Sequence, residues 1–211
     1  MSDLLPFPAG PNAATIPLIL ASGSEARAAM LRAAGLDVQL HPANVDEESF
    51  RNALRADRVT TSAAAEALAE LKGMKVSSRY ETGIIIAADQ LLDCGGVWFE
   101  KPVDRDHAVG SLRALSGKKH QLVSSVVLFR NGARIWHHTG IAEITMRNLS
   151  NDYIDRYLDH IGDEVFQTVG CYKIEGMGMH LFSEVKGDHF TILGMPLLPL
   201  LDILREQGVV A

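Results

Sequence analysis

Two cysteines in 211 residues, no excess of positive charge and no long apolar run are what this chain conspicuously lacks. Cys94 and Cys171 lie far apart and without metal-site spacing, so the sequence predicts free thiols in a reducing cytoplasm rather than a disulfide framework. The formal charge of −6 argues against a nucleic-acid backbone as the main partner, since such proteins usually carry a basic face. It leaves room for a small anionic ligand, which needs only a few local cations. No run approaches a membrane span. Residues 1–15 hold three prolines, a glycine and no basic segment, which excludes a signal or transit peptide and predicts a flexible leader. Internal repeats and low-complexity tracts are missing, and none of the eight histidines shows ligand spacing, so no zinc site is expected. His137 and His138 are adjacent on a predicted strand and would face opposite ways.

What is present suits one domain over residues 16–211, with two lobes: 47% hydrophobic and 22% charged residues. Residues 16–21 read as a buried strand and 25–34 as a helix stopped by Gly35. Residues 38–41 suggest a short strand before a polar loop over 44–49. Residues 62–78 read as an alanine-rich helix. Residues 83–88, GIIIAA, form a β-branched run fit for a central strand. A short strand over 97–99 precedes a helix capped by Asp104. Two long strands, 120–130 and 134–146, are joined by Asn131-Gly132, a two-residue hairpin signal. Ser150 caps a further helix, 181–185 is a strand, 187–196 reads as turn, strand and Gly/Pro stop, and a last helix runs over 197–207. The pattern predicts a mixed sheet in an α/β or α+β fold.

The most pointed segment is LILASGSEAR, residues 18–27: strand, Ser/Gly turn, helix start. Such a turn presents backbone N–H groups and hydroxyls to an anion, with the Arg27 guanidinium in reach of a phosphate. The ordinary alternative is that Ser24 simply caps a helix. Asp89 follows GIIIAA at a strand end, where open α/β sheets place their ligands; it can act as general base or metal ligand, or only shape a turn. Gln90 beside it can contact a base or sugar. Asp46, Glu47 and Glu48 can hold a hard divalent cation, although solvated acidic loops are commoner. Lys72 reads by default as a solvated helix lysine. Lys101 is aimed by Pro102, which fixes the backbone beside it. GCYKIEG, residues 170–176, offers Glu175 to the Watson–Crick edge of guanine, unless Lys173 and Glu175 merely pair with each other.

LILASGSEARAAMLRAAG, VDEE, AADQ, EKP, LSGKKH, LSNDYIDRYL, GCYKIEG and LGMPL, in this order, resemble the Maf family of nucleoside triphosphate pyrophosphatases. The resemblance implies an elongated mixed sheet with flanking helices and a central cleft, a Maf/ITPase-like architecture. It implies cytoplasmic, house-cleaning hydrolysis of a nucleotide between its α- and β-phosphates, with a divalent cation, magnesium first and manganese as an alternative. A homodimer is compatible with it, and neither nucleic acid nor membrane is an expected partner. On the matching positions, Asp89 is the catalytic proton acceptor. Ser24, Arg27, Lys72 and Lys101 bind phosphate, and Glu47 with Asp89 attends the metal. Asp89-Gln90 and Ile174-Glu175-Gly176 look like the 7-methyl-GTP branch, where thymidine/uridine-type members read Asp-Thr and Ile-Gln-Gly. N7-methylguanine is cationic, which favours the Glu175 carboxylate. Ala26 departs from the family's larger residue before the arginine and bears on base preference. The alternatives are a non-catalytic nucleotide-binding regulator of septum formation and the same reaction on other triphosphates such as dTTP or UTP.

Overall fold

A computed structural model describes residues 16–210. The strands are β1 (Leu18–Leu20), β2 (Val38–Leu40), β3 (Ile84–Cys94), β4 (Val97–Phe99), β5 (Lys119–Arg130), β6 (Ala133–Met146) and β7 (Phe182–Lys186). The helices are α1 (Glu25–Ala33), α2 (Glu47–Ala56), α3 (Thr61–Ser77), α4 (Arg105–Leu115), α5 (Asn151–Ile161), α6 (His189–Ile192) and α7 (Leu197–Glu206). The mixed seven-stranded sheet runs in the order β2-β1-β3-β5-β6-β7, with β4 paired to β3. β1 is parallel to both β2 and β3, whereas β4 and β7 run antiparallel to β3 and β6. Asn131 and Gly132 carry φ of +52° and +76°, the left-handed pair that a two-residue β5–β6 turn demands.

The chain divides into two compact units. The first comprises residues up to 90, 124–140 and 189 onward; the second comprises 91–123 and 141–188. In the first, the sheet is buried on both faces, which is why β1 and β3 read as unbroken apolar runs rather than alternating ones. Leu18, Leu20, Ile84, Ile86 and Ala88 pack with Ala28 and Leu31 of α1 and with Leu197, Leu200 and Leu204 of α7. Ile19, Ala21, Ile85 and Ala87 point the other way, toward Ala69 and Val76 of α3. Gly73 lets α3 lie close: a Cβ there would come within 2.5 Å of the Phe129 ring.

The second unit holds α4 and α5, capped by Asp104 and Ser150 as expected, and buries Leu112, Leu115, Leu122, Ile144, Ile154, Leu158 and Leu181. Cys94 and Cys171 are both free. Among the described residues no helix is long and apolar enough to cross a membrane.

Two expectations need correction. The polar stretch 44–49 is not all loop, because Asp46 accepts from Ser49 N at 3.0 Å and opens α2 at Glu47. The stretch expected as a strand within 187–196 is the short helix α6; Gly194 then takes a φ of +106° and Pro196 caps α7. The 1–15 leader lies outside the described residues.

Candidate active site

The strand expected to stop at residue 88 runs on to Cys94, so Asp89 and Gln90 lie in mid-strand rather than at a strand end, and period-two alternation decides where each points. Asp89 shares the parity of Ile85 and Ala87, and so faces α3. On α3, Ala69, Lys72 and Val76 fall on one buried stripe at helical spacing. Lys72 Nζ therefore meets Asp89 Oδ1 at 2.6 Å, and it also contacts Glu47 Oε2, in the first turn of α2, at 2.9 Å. Lys72 is 8% exposed and Asp89 5%, which corrects the expectation of a solvated lysine. The second Asp89 oxygen, Oδ2, is buried with no hydrogen-bond partner among the described residues. A buried, unsatisfied carboxylate oxygen is costly in a resting fold and calls for a functional reason.

Arg27 approaches from the β1–α1 turn. Ser24 caps α1, its Oγ accepting from Arg27 N at 3.4 Å, so the helix-cap reading of this serine is realised. The guanidinium is buried and held at two nitrogens: Nε donates to Gly194 O at 2.8 Å, and Nη1 donates to Ala88 O at 2.9 Å and Ser22 Oγ at 3.1 Å. Nη2 carries no protein hydrogen bond among the described residues. Burial lowers the Arg27 pKa, while the nearby charges of Asp89 and Glu47 oppose that shift. The carboxylates therefore lie close enough for their field to reach Arg27. Asp89 in the middle of β3, Lys72 within α3, Glu47 at the start of α2 and Arg27 in the first turn of α1 form one charge cluster, buried except at Glu47, whose side chain is 37% exposed. Arg51 Nη2 lies 3.9 Å from Glu47 Oε2 at the edge of the cluster.

Gln90, of opposite parity, faces away from α3. Its amide nitrogen is taken up by Ser124 Oγ at 2.9 Å, Ile192 O at 3.0 Å and Thr191 O at 3.1 Å. Its other terminal atom, Oε1, is the one left for a ligand. Ala26 is exposed on α1.

Lys101 and Glu175 belong to the second unit and are both exposed. Glu175 sits on a turn whose base is well fixed. Tyr157 donates to Cys171 O at 3.1 Å, and the Tyr172 hydroxyl lies 2.8 Å from His120 Nε2. A Cβ on Gly178 would strike Lys173 O at 2.3 Å. Lys173 pairs with Glu164 at 2.8 Å and not with Glu175, which corrects the alternative of a local ion pair. Residues the sequence did not flag are Ser22, Ser124 and Thr191. Ser22 alone left a trace, as the first hydroxyl of the Ser-Gly-Ser turn.

Among the described residues no three His, Cys, Asp or Glu side chains converge as a ready metal cage. The oxygens of Asp89 and Glu47 form a hard two-carboxylate set, suited to a cation that keeps water and takes phosphate oxygens as further ligands.

A family model described as "Maf-like protein" matches residues 17–207. A nucleoside triphosphate pyrophosphatase of Paramagnetospirillum magneticum is 50% identical over 190 residues, covering 90% of this chain and 98% of that protein. A 7-methyl-GTP pyrophosphatase of Rhizobium etli is 44% identical over 193 residues, covering 92% and 97%. The enzyme of that name from Mesorhizobium japonicum is 46% identical over the same length and shares. Likeness to solved structures is looser: a dITP/XTP pyrophosphatase from Mycobacterium abscessus aligns over 92% of this chain at 13% identity with a TM-score of 0.43.

Proposed function

The chain belongs to the Maf-like family, and we propose on that premise that it is a nucleoside triphosphate pyrophosphatase, with 7-methyl-GTP as its preferred substrate. The observation that carries the reading is the charge cluster of Asp89, Lys72, Glu47 and Arg27, with the buried Asp89 Oδ2 unpartnered among the described residues.

Asp89 is oriented by its ion pair with the Lys72 ammonium, at 2.6 Å. Its free Oδ2 accepts the proton of a water that attacks phosphorus. A new P–O bond forms, the α–β anhydride bond breaks, and pyrophosphate departs with the electron pair. Arg27, fixed at Nε and Nη1, offers Nη2 to a phosphate oxygen, and Lys72 adds further positive charge; for Lys101 the phosphate-binding role rests on the family resemblance alone. Preorganised donors of this kind cost no reorganisation as charge develops. Ser24 supports the same turn by capping α1, and the turn's backbone faces the anion.

The donor set fits magnesium, with manganese as an alternative. Asp89 and Glu47 would hold the ion, and when bound it supplies Lewis-acid stabilisation of charge on the phosphate oxygens.

The base preference rests on Glu175, whose carboxylate can accept from the guanine N1–H and exocyclic amine and faces a cationic ring when N7 is methylated. Sequence supports this through Asp89-Gln90 and Ile174-Glu175-Gly176, and two relatives bearing the 7-methyl-GTP name agree with it.

The test is pyrophosphate release with magnesium over 7-methyl-GTP, GTP, dTTP, UTP, CTP and ITP. A clear preference for 7-methyl-GTP is expected. Preference for a pyrimidine triphosphate would refute the role of Glu175 while leaving Asp89 in place. Binding without release from any nucleotide would refute the enzyme and favour a nucleotide-binding regulator.

A further inference from the structure

Lys72 sits between the two carboxylates that would hold a metal. Its ammonium contacts Asp89 Oδ1 and Glu47 Oε2 at 2.6 and 2.9 Å, and these carboxylates are the two hard-oxygen groups of the cluster. A divalent ion binding both would lie within a few ångströms of Nζ and be repelled by it. The local charge offers no compensation, because the two carboxylates already face Lys72, Arg27, whose guanidinium senses both, and Arg51, 3.9 Å from Glu47 Oε2. Withdrawing the ammonium into nothing would leave Asp89, only 5% exposed, as a buried carboxylate stripped of its cationic partner, which is strongly unfavourable. The ammonium therefore needs another anion to move to. A triphosphate supplies one, and the flexible four-carbon lysine stem can make the move.

We propose that Lys72 is the resident counter-ion of the Asp89–Glu47 pair, that it excludes a divalent cation from the nucleotide-free protein, and that it yields the site only when phosphate arrives. Cation and nucleotide then enter together, each raising the affinity for the other. The inference rests on the reading of Asp89 and Glu47 as the carboxylates that hold the ion, and it adds an order of binding that this reading does not contain.

The probe is Mn2+, titrated into the full-length protein and followed by the electron paramagnetic resonance of free Mn2+ and by water proton relaxation, with no turnover involved. Wild type should bind Mn2+ weakly alone. Lys72→Met should bind it on the order of tenfold more tightly, within the usual range of site-to-site coupling. Adding α,β-methylene-GTP should tighten Mn2+ binding to wild type and change that of Lys72→Met much less. Equal Mn2+ affinity of wild type and Lys72→Met in the absence of nucleotide would overturn the proposal. So would equal affinity of wild type with and without the analogue, a comparison that needs no variant to fold. Failure of the underlying reading looks different: Asp89→Asn would then bind Mn2+ as well as wild type in the presence of the analogue.

Discussion

Acid should weaken the second unit through one side chain. His120 on β5 is 1% exposed, and its Nε2 lies 2.8 Å from the Tyr172 hydroxyl. Burial pushes the imidazole from 6.5 down to about 4, with the backbone of Lys118 opposing. Between these values the unfolded chain binds a proton that the folded chain refuses. The stability that depends on a neutral His120 is therefore fully present above about pH 6.5, declines as pH falls through that value, and is gone near pH 4. At about 1.4 kcal/mol per pH unit, the span from 6.5 to about 4 amounts to about 3 kcal/mol. That is a large share of the 5–15 kcal/mol of about any domain of this kind. The assay is urea unfolding of wild type and His120→Gln at intervals from pH 7.5 to pH 4. The substitution lowers stability by some constant amount, so the readout is the difference in slope: wild type should lose about 3 kcal/mol more than the variant over this range. Parallel curves would refute the reasoning, since they would mean that His120 accepts its proton in the fold at no cost.

Other substitutions address the site and the packing around it. Asp89→Asn keeps the shape but removes the proton acceptor, and pyrophosphate release should fall by about 10²–10³ with the unfolding midpoint little changed; near-normal turnover would remove Asp89 from its assigned role. Glu175→Gln should narrow the preference for 7-methyl-GTP over pyrimidine triphosphates by about 1–3 kcal/mol in relative kcat/KM, by analogy with bidentate base contacts. An unchanged ratio would place base recognition elsewhere. Gly73→Ala would improve intrinsic helix propensity by about 1 kcal/mol. It should nonetheless destabilise the first unit by about 1–3 kcal/mol, measured by urea unfolding, because the new Cβ meets the Phe129 ring at 2.5 and 2.7 Å.

Local signals in this chain were readable where they depend on neighbours in sequence. Ser24, Asp104 and Ser150 cap their helices, Asn131-Gly132 makes its turn, and the β-branched run of β3 lies buried on both faces. Lys72 was misread because α3 is apolar or small around much of its circumference, so no polar face marks where a lysine would meet solvent. The first turn of α2 was missed since Asp46-Glu47-Glu48 reads equally as a solvated acidic loop. α6 looked like a strand because Phe190, Thr191 and Ile192 favour extended structure, and four residues are too few to show a helical period. Arg27 was legible as a cation, but its anchors were not: Ala88 and Gly194 act through backbone carbonyls, which every residue possesses.

The bond from Arg27 to Gly194 O spans 167 residues. The ribosome delivers the chain N-terminus first, at about 5–20 residues per second. Arg27 is among the earliest described residues to emerge and must wait for 167 further residues before this carbonyl exists. The first unit itself draws on segments from both ends of the chain. A nascent or truncated chain ending before residue 194 thus carries a cation that has lost one of the acceptors fixing its direction. Arrival of residue 194, rather than formation of the early β1–α1 turn, is the event that makes the anion-binding geometry whole.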